Sequence, residues 1–224
     1  MYFVAAESEN MFEEFTKDLL IAFSNPLPGK EAHVPLKPYL KISKDLDIPP
    51  ILKPRTGAVM ALIYPKEEIP HLLFIERPTY DGVHSGQIAF PGGKIEQSDA
   101  SVLDAALRET KEEIGVIQQQ IKVVGSLTEV YVFASNFMVY PFVGLLNDIP
   151  NLTLEEREVA SVLEIPIYKL LEPSIIKEKP IKNALGFTLM APYYDLNGKT
   201  LWGATAMMVS ELCHIIKTHE IKLR

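Results

Sequence analysis

Phe90–Val116, FPGGKIEQSDASVLDAALRETKEEIGV, sets a glycine turn ahead of a helical stretch whose last turns carry three carboxylates. Glu109, Glu112 and Glu113 stand at i, i+3 and i+4, which at ~100° per residue puts all three on one side of a helix. Leu103, Ala106, Leu107 and Ile114, with Thr110 among them, form an apolar stripe suited to burial against a sheet. One helix is therefore expected to anchor itself in a core while presenting acid to a cleft, and Gly115 supplies its C-terminal stop.

Paired glutamates on amphipathic helices usually do no more than face water. Two neighbours point further here. Gly92-Gly93 after Pro91 supplies backbone without side chains, which suits close approach to a ligand or metal. Arg108 beside Glu109 provides a guanidinium that can orient a carboxylate through charge-assisted hydrogen bonds. Three clustered carboxylates repel one another unless a cation shares them, and hard oxygen ligands select Mg²⁺ or Mn²⁺. Glu109 and Glu113, one turn apart, are expected to hold one ion, with Glu112 holding a second or bridging. Such a centre suits hydrolysis of a diphosphate, whose negative charge repels a nucleophile and whose attacking water needs acidifying.

At these residues the chain resembles the Nudix hydrolase family, whose box reads G-x5-E-x7-R-E-U-x-E-E-x-G-U, with U aliphatic. Arg108-Glu109-Thr110-Lys111-Glu112-Glu113-Ile114-Gly115-Val116 matches the second half, with Thr110 in an aliphatic place. The first half departs: six residues on from Gly93 stands Asp99, and one extra residue separates it from Arg108. Asp99 reads either as a shortened substitute for the box glutamate or, by residue preference, as the helix N-cap. Upstream, Leu72-Leu73-Phe74-Ile75-Glu76-Arg77 and His84-Ser85-Gly86-Gln87-Ile88-Ala89-Phe90-Pro91-Gly92-Gly93 resemble a subgroup that hydrolyses coenzyme A and carries LLxxxR…RxHxGQxxFPGG. Gly82 stands where that subgroup has a second arginine, which weighs against strict coenzyme A specificity because a guanidinium there would pair with a phosphate. The likeness runs from about Thr56 to about Ile216 and includes Glu158-Val159-Ala160 and Leu201-Trp202-Gly203-Ala204-Thr205-Ala206.

The resemblance implies an α/β fold, a Nudix-type α/β/α sandwich on a mixed sheet, and a metal-dependent pyrophosphohydrolase. Its products from coenzyme A or acyl-coenzyme A would be 3′,5′-ADP and the (acyl-)4′-phosphopantetheine. Glu109, Glu112, Glu158 and Arg108 are the expected catalytic residues, and Glu109, Glu112 and Glu113 the metal ligands. Either Glu109 or Glu158 serves as general base, with Glu155, Glu156 and Glu164 behind them. Arg77, His84, Gln87, Gly92, Gly93 and Lys94 are assigned to substrate, although His84 and Gln87 could instead pin the turn that shapes the cleft. Arg55 is a further candidate cation. Gly82 keeps a second substrate class open, another nucleoside diphosphate derivative such as ADP-ribose. A non-catalytic Nudix-fold module is the third reading, and the intact carboxylates argue against it.

Bulk properties agree with one globular enzyme domain: 224 residues, 47% hydrophobic and 23% charged. A net charge of −7 argues against a nucleic-acid surface. No apolar run is long enough to span a bilayer, and MYFVAAESENMFEEF lacks the basic start of a signal peptide, so the expected location is cytoplasmic. Cys213, the one cysteine, sits in ELCHII as a packed thiol.

The chain is expected to divide into an N-terminal helical arm with a proline-rich connector over 1–50 and, as the resemblance implies, a Nudix hydrolase domain over 51–224. Phe12, Phe15, Leu19, Leu20 and Phe23 give Glu9–Phe23 the pattern of an amphipathic helix, which could pack on its own domain or on a partner subunit, so a homodimer is open. Strands are expected at Gly57–Tyr64 and His71–Glu76 around a PKEEIP turn, then at Ile121–Val130, Asn136–Leu146, Phe187–Leu189 and Tyr193–Leu196. Glu155–Leu163 is ambiguous, and Ala204–Lys217 reads as a helix.

Overall fold

The structure, a computed structural model, describes residues 11–40, 53–79, 84–182, 186 and 188–223. Gly82, Glu9, Asn10 and Phe187 lie outside the described residues. Helix α1 (Met11–Phe23) leads through a 3-10 segment (Gly29–Leu36) to strands β1 (Arg55–Lys66), β2 (Ile69–Glu76), β3 (Ile88–Ala89) and β4 (Gly92–Lys94). Helix α2 (Val102–Ile114) follows, then β5 (Lys122–Ser126), β6 (Val130–Val132), β7 (Phe137–Leu145), β8 (Ser161–Pro166) and a short α3 (Ile167–Leu170). The chain ends in β9 (Ile176–Lys182), β10 (Thr188–Leu196), β11 (Lys199–Trp202) and α4 (Gly203–Thr218).

β1 organises the main sheet. It runs parallel to β7 over Arg55↔Phe137 to Ile63↔Leu145. It is antiparallel to β2 near its C-terminal end and to β4 near its N-terminal end. β8 lines the other side of β2, and β5 and β6 both pair with β7, so the sheet is mixed. Alternation along β1 splits the core in two. Ala58, Met60, Leu62 and Tyr64 pack with Ala105, Ala106, Leu107 and Ile114 of α2, while Ala61 and Ile63 share the opposite face with residues of α1 and α4. This is the α/β/α arrangement on a mixed sheet that the sequence predicts.

The differences from sequence expectation have local causes. The hairpin between β1 and β2 is tighter than PKEEIP suggests, because Glu67 and Glu68 both adopt positive φ and close a two-residue turn. Residues 121–130 break at Leu127, whose buried side chain and bond to Pro141 O separate β5 from β6. Residues 155–160 are a turn, and the strand begins only at Ser161. β10 is continuous from Thr188 to Leu196, flanked by β9 and β11, which polar, lysine-rich sequences hide from a hydrophobic pattern. The α2 stripe adds the fully buried Ala105, with Leu103 partly buried against the same cluster, and its N-cap is Ser101, whose Oγ accepts from the Asp104 N–H at 3.1 Å. Asp99 is therefore not the cap.

The N-terminal helix packs on its own chain. Phe12, Phe15, Leu19 and Ala22 enter the core beside β2, β5 and α4, and Phe12 stacks on Phe15 with centroids 5.9 Å apart. The 3-10 segment is strapped to α4 by two buried contacts: Ser210 Oγ donates to Ala32 O at 2.6 Å, and His33 Nε2 meets Glu211 Oε2 at 2.9 Å. Glu211 also accepts from the Thr128 N–H and hydroxyl, so one fully buried side chain joins the N-terminal segment, α4 and the β5–β6 link. Cys213 is a core thiol against Leu170 O, and burial pushes its pKa up to about 12. Truncating the fully buried Phe15 to alanine is expected to cost about 3–5 kcal/mol in urea unfolding. A loss below about 1 kcal/mol would mean that α1 contributes little to this core.

Candidate active site

The glycine pair forms a strand rather than a free turn. Gly92 and Gly93 pair with Val59 and Ala58 of β1, and α2 lies directly over them. A side chain at either position would collide with its neighbours. A Cβ on Gly92, whose φ is 150°, would come within 2.3 Å of Ala58 O, and one on Gly93 within 2.5 Å of the Glu109 carboxyl. The missing side chains let backbone and acid meet, and the Gly92 N–H donates to Glu113 Oε2 at 2.8 Å.

Two arginines hold this contact in register. Arg108 donates through Nε and Nη2 to both oxygens of Asp99, at 2.9 and 3.1 Å, and Nη2 also reaches Lys94 O at 3.1 Å. Its Nη1 bonds Glu109 Oε1 at 3.0 Å and Glu112 Oε2 at 2.8 Å. Asp99 thus performs a carboxylate's pairing role on the loop before α2, and Arg108 in turn holds the Asp99 carboxyl below the usual range. Arg77, following β2, donates to Gly92 O at 3.2 Å and stands 3.7 Å from Glu113 Oε1.

Among the acids predicted from sequence, the fold brings together Glu109, Glu113 and Glu158, each offering an oxygen within 4.8 Å of the others. Glu112 stays outside that group, on the exposed side of α2 against Arg108. It lines an open depression with Glu155, Arg157 and Glu158. Glu158 reaches the cluster from the 155–160 turn. The turn is tied by Glu155 N–H to Glu113 O at 3.0 Å and by Ala160 N–H to Glu76 O at 2.8 Å. Glu164 lies elsewhere, bonded to Tyr64 Oη at 2.5 Å and Lys66 Nζ at 2.9 Å.

The upstream motif shapes the same corner. His84 Nδ1 lies 2.9 Å from Gln87 Oε1, and the Arg77 N–H donates to Gln87 O at 3.0 Å, so the motif's turn is fastened to the end of β2. His84 sits at φ 75°, a conformation an L-residue adopts at some cost. Lys94 follows Gly93 in β4 and so points to the opposite face from the Gly93 position that meets Glu109. Arg55 lies 4.2 Å over the Phe137 ring at the start of β1 and donates to Ser135 O. Arg157, which no sequence motif marks, lines the depression beside Glu158.

Electrostatically the cluster is short of positive charge. Burial pushes the Glu113 carboxyl up to about 7, against the opposing pull of Arg77 and the Gly92 N–H, and Glu109 and Glu158 add to the rise. Burial likewise raises Glu109, with Arg108 pulling the other way. A divalent cation fits this site: three hard oxygen donors converge, and the buried member needs a positive partner to ionise fully.

A stability signature follows for the metal-free protein. Glu113 has its folded pKa above the unfolded value of 4.5, so its contribution is complete below about pH 4.5 and is lost as pH rises through about 7. Each unit of separation corresponds to about 1.4 kcal/mol. Between pH 5 and 8 in chelator, wild type is expected to lose more melting temperature than Glu113→Gln. Parallel losses would show that the carboxyl ionises without penalty. Gly93→Ala is expected to weaken divalent-ion binding at least about tenfold by displacing Glu109, read by titration calorimetry.

Comparison with known proteins agrees with this geometry. The NUDIX domain model matches residues 54–182, more than half of the 224-residue chain. An uncharacterized Nudix hydrolase NudL from Yersinia enterocolitica is 35% identical over 146 residues, covering 64% of this chain and 72% of that protein. Its namesake from Enterobacter sp. strain 638 is 31% identical over 177 residues, covering 77% and 85%. Among solved structures, the Nudix hydrolase RenU from M. smegmatis aligns with a TM-score of 0.52 at 15% identity, covering 73% of this chain and 86% of that one. A MutT/nudix family protein from Enterococcus faecalis gives 0.51 at 18% identity, covering 77% and 66%. These two share the fold. With the box acids gathered over a glycine strand and the family model spanning the same residues, the chain belongs to the Nudix family and is a hydrolase of diphosphate bonds.

Proposed function

We propose that the enzyme cleaves the diphosphate of coenzyme A or its acyl derivatives, giving 3′,5′-ADP and (acyl-)4′-phosphopantetheine. The observation that carries the substrate is the segment His84–Gly93, HSGQIAFPGG, which resembles the coenzyme A subgroup and leads into the acid cluster. Mg²⁺ or Mn²⁺ is the proposed ion, held by Glu109 and Glu113, with the Glu158 carboxylate beside them. When bound, such an ion neutralises phosphate oxygens and acidifies water.

The chain's own residues then divide the work. Glu109 is kept in place by Arg108, and Glu113 by Arg77 and the Gly92 N–H. Glu158 is exposed at the edge of the cluster, and no described side chain donates to it, so it is the proposed acceptor of the water's proton. The water oxygen forms the new bond to phosphorus, the bridging P–O bond breaks, and the leaving phosphate carries away the electron pair. Glu112 balances Arg108 from the outer side. His84 and Gln87 shape the turn beside Arg77 that borders the substrate's path.

A second reading keeps the reaction and changes the substrate. Gly82 stands where the subgroup has an arginine, which favours another nucleoside diphosphate derivative such as ADP-ribose. Assaying the purified protein with Mg²⁺ against coenzyme A, acetyl-coenzyme A, ADP-ribose, NADH, diadenosine polyphosphates and nucleoside triphosphates separates the two. Coenzyme A species are expected to have the highest kcat/KM, and a clear preference for another compound would defeat the substrate assignment. Glu113→Gln is expected to lower turnover by at least about a hundredfold in a folded protein, and near-normal turnover would refute its place at the ion.

A further inference from the structure

We propose that Arg157 is the side chain that meets the substrate's diphosphate from the 155–160 turn beside the acid cluster. The inference rests on the diphosphate-hydrolase reading and begins with an accounting of cations. Arg108 is committed to Asp99, Glu109, Glu112 and Lys94 O, and Arg77 to Gly92 O and Glu113. Both guanidiniums orient the protein's own oxygens, and drawing either onto a phosphate would loosen the carboxylates that the ion requires. Lys94 is exposed, but it points to the opposite face of β4 from the Gly93 position beside Glu109.

Arg157 differs from all three. It lines the same open depression as Glu112, Glu155 and Glu158. Its guanidinium makes no ion pair or hydrogen bond with any described residue, and only its backbone N–H is engaged, reaching Glu155 Oε1 at 3.4 Å. The side chain is exposed and next in sequence to Glu158, a member of the acid cluster. An unpaired arginine among carboxylates beside a cation centre is free to turn to an incoming polyanion, and its planar fork can take two phosphate oxygens at once.

The backbone beneath it is fixed. Glu158 and Val159 N–H both donate to Glu155 O at 2.9 Å, and the Val159 side chain is buried. One end of the turn is bonded to Glu113 O and the other to Glu76 O, so Arg157 is mounted on the two elements that position Glu113 and Arg77. That anchoring spares the backbone part of the ordering cost, leaving the side chain's own rotamer freedom to be lost on binding. The residue serves ground-state capture of the diphosphate and acts alike on every substrate that contains one.

Arg157→Ala and Arg157→Lys, made in the full chain and assayed with Mg²⁺ on coenzyme A and on ADP-ribose, test this. The alanine variant is expected to raise KM about tenfold on each substrate hydrolysed, with kcat within about threefold and an unchanged melting temperature. Lysine should recover part of the loss, and the rise of wild-type KM with salt should flatten in the alanine variant. A KM within about twofold of wild type, or a loss confined to kcat, would overturn the proposal. Failure of the coenzyme A reading appears separately, as the wild type's own substrate preference, because the variant-to-wild-type ratio concerns the diphosphate common to both compounds.

Discussion

The donation from the Gly92 N–H to the Glu113 carboxylate is the contact around which the rest of the site is arranged. For it to exist, α2 must lie on the backbone of β4 at a distance that no side chain on β4 permits, and Gly92 and Gly93 meet that requirement. Closeness brings burial, and burial raises the cost of ionising Glu113. A cation held at the proposed site would consequently set metal affinity against folding stability at this one residue. The apo protein gains by keeping the proton, and a bound cation gains by removing it.

Arginine usage follows from the same constraint. A buried acid cluster needs fixed positive groups to hold its geometry before any ion arrives, and Arg77 and Arg108 provide them from opposite sides. Arg108 is the more heavily engaged, with three carboxylates and a carbonyl around one planar group, and these acids push its pKa upward, Asp99 foremost. Both guanidiniums are thus engaged by the protein's own oxygens.

Much of the site could be read before any coordinates. The spacing of Glu109 and Glu113 encodes their convergence because helical periodicity is a local rule, and Gly92-Gly93 announces a close approach for a similarly local reason. Glu112 shows the limit of that rule. Sharing a helical side with Glu109 and Glu113 does not bring it into their group, because it stands at the solvent edge of that side, 56% exposed where Glu109 is 14%. Asp99 reads as a cap from residue preference, yet tertiary pairing with Arg108 claims it and leaves the cap to Ser101. Arg157 carries no periodic or compositional mark, because its place beside Glu158 comes from two long-range backbone bonds that position its turn. The small sheet was half visible: Tyr193–Leu196 alternates as a strand should, while Ile176–Lys182 presents lysines to solvent and so lacks the apolar signal.

That small sheet is joined to the main one at a sensitive point. Lys199 of β11 bonds the Glu76 carboxylate, which Ser161 Oγ also approaches at 2.5 Å, and Glu76 immediately precedes Arg77. A small sheet whose β9 carries lysines at the surface, and whose β10 and β11 bury Tyr194, Leu196 and Leu201, is thereby coupled to the residue before Arg77. A displacement of β11 would therefore reach the Arg77 backbone through one intervening residue, without touching the acids of α2.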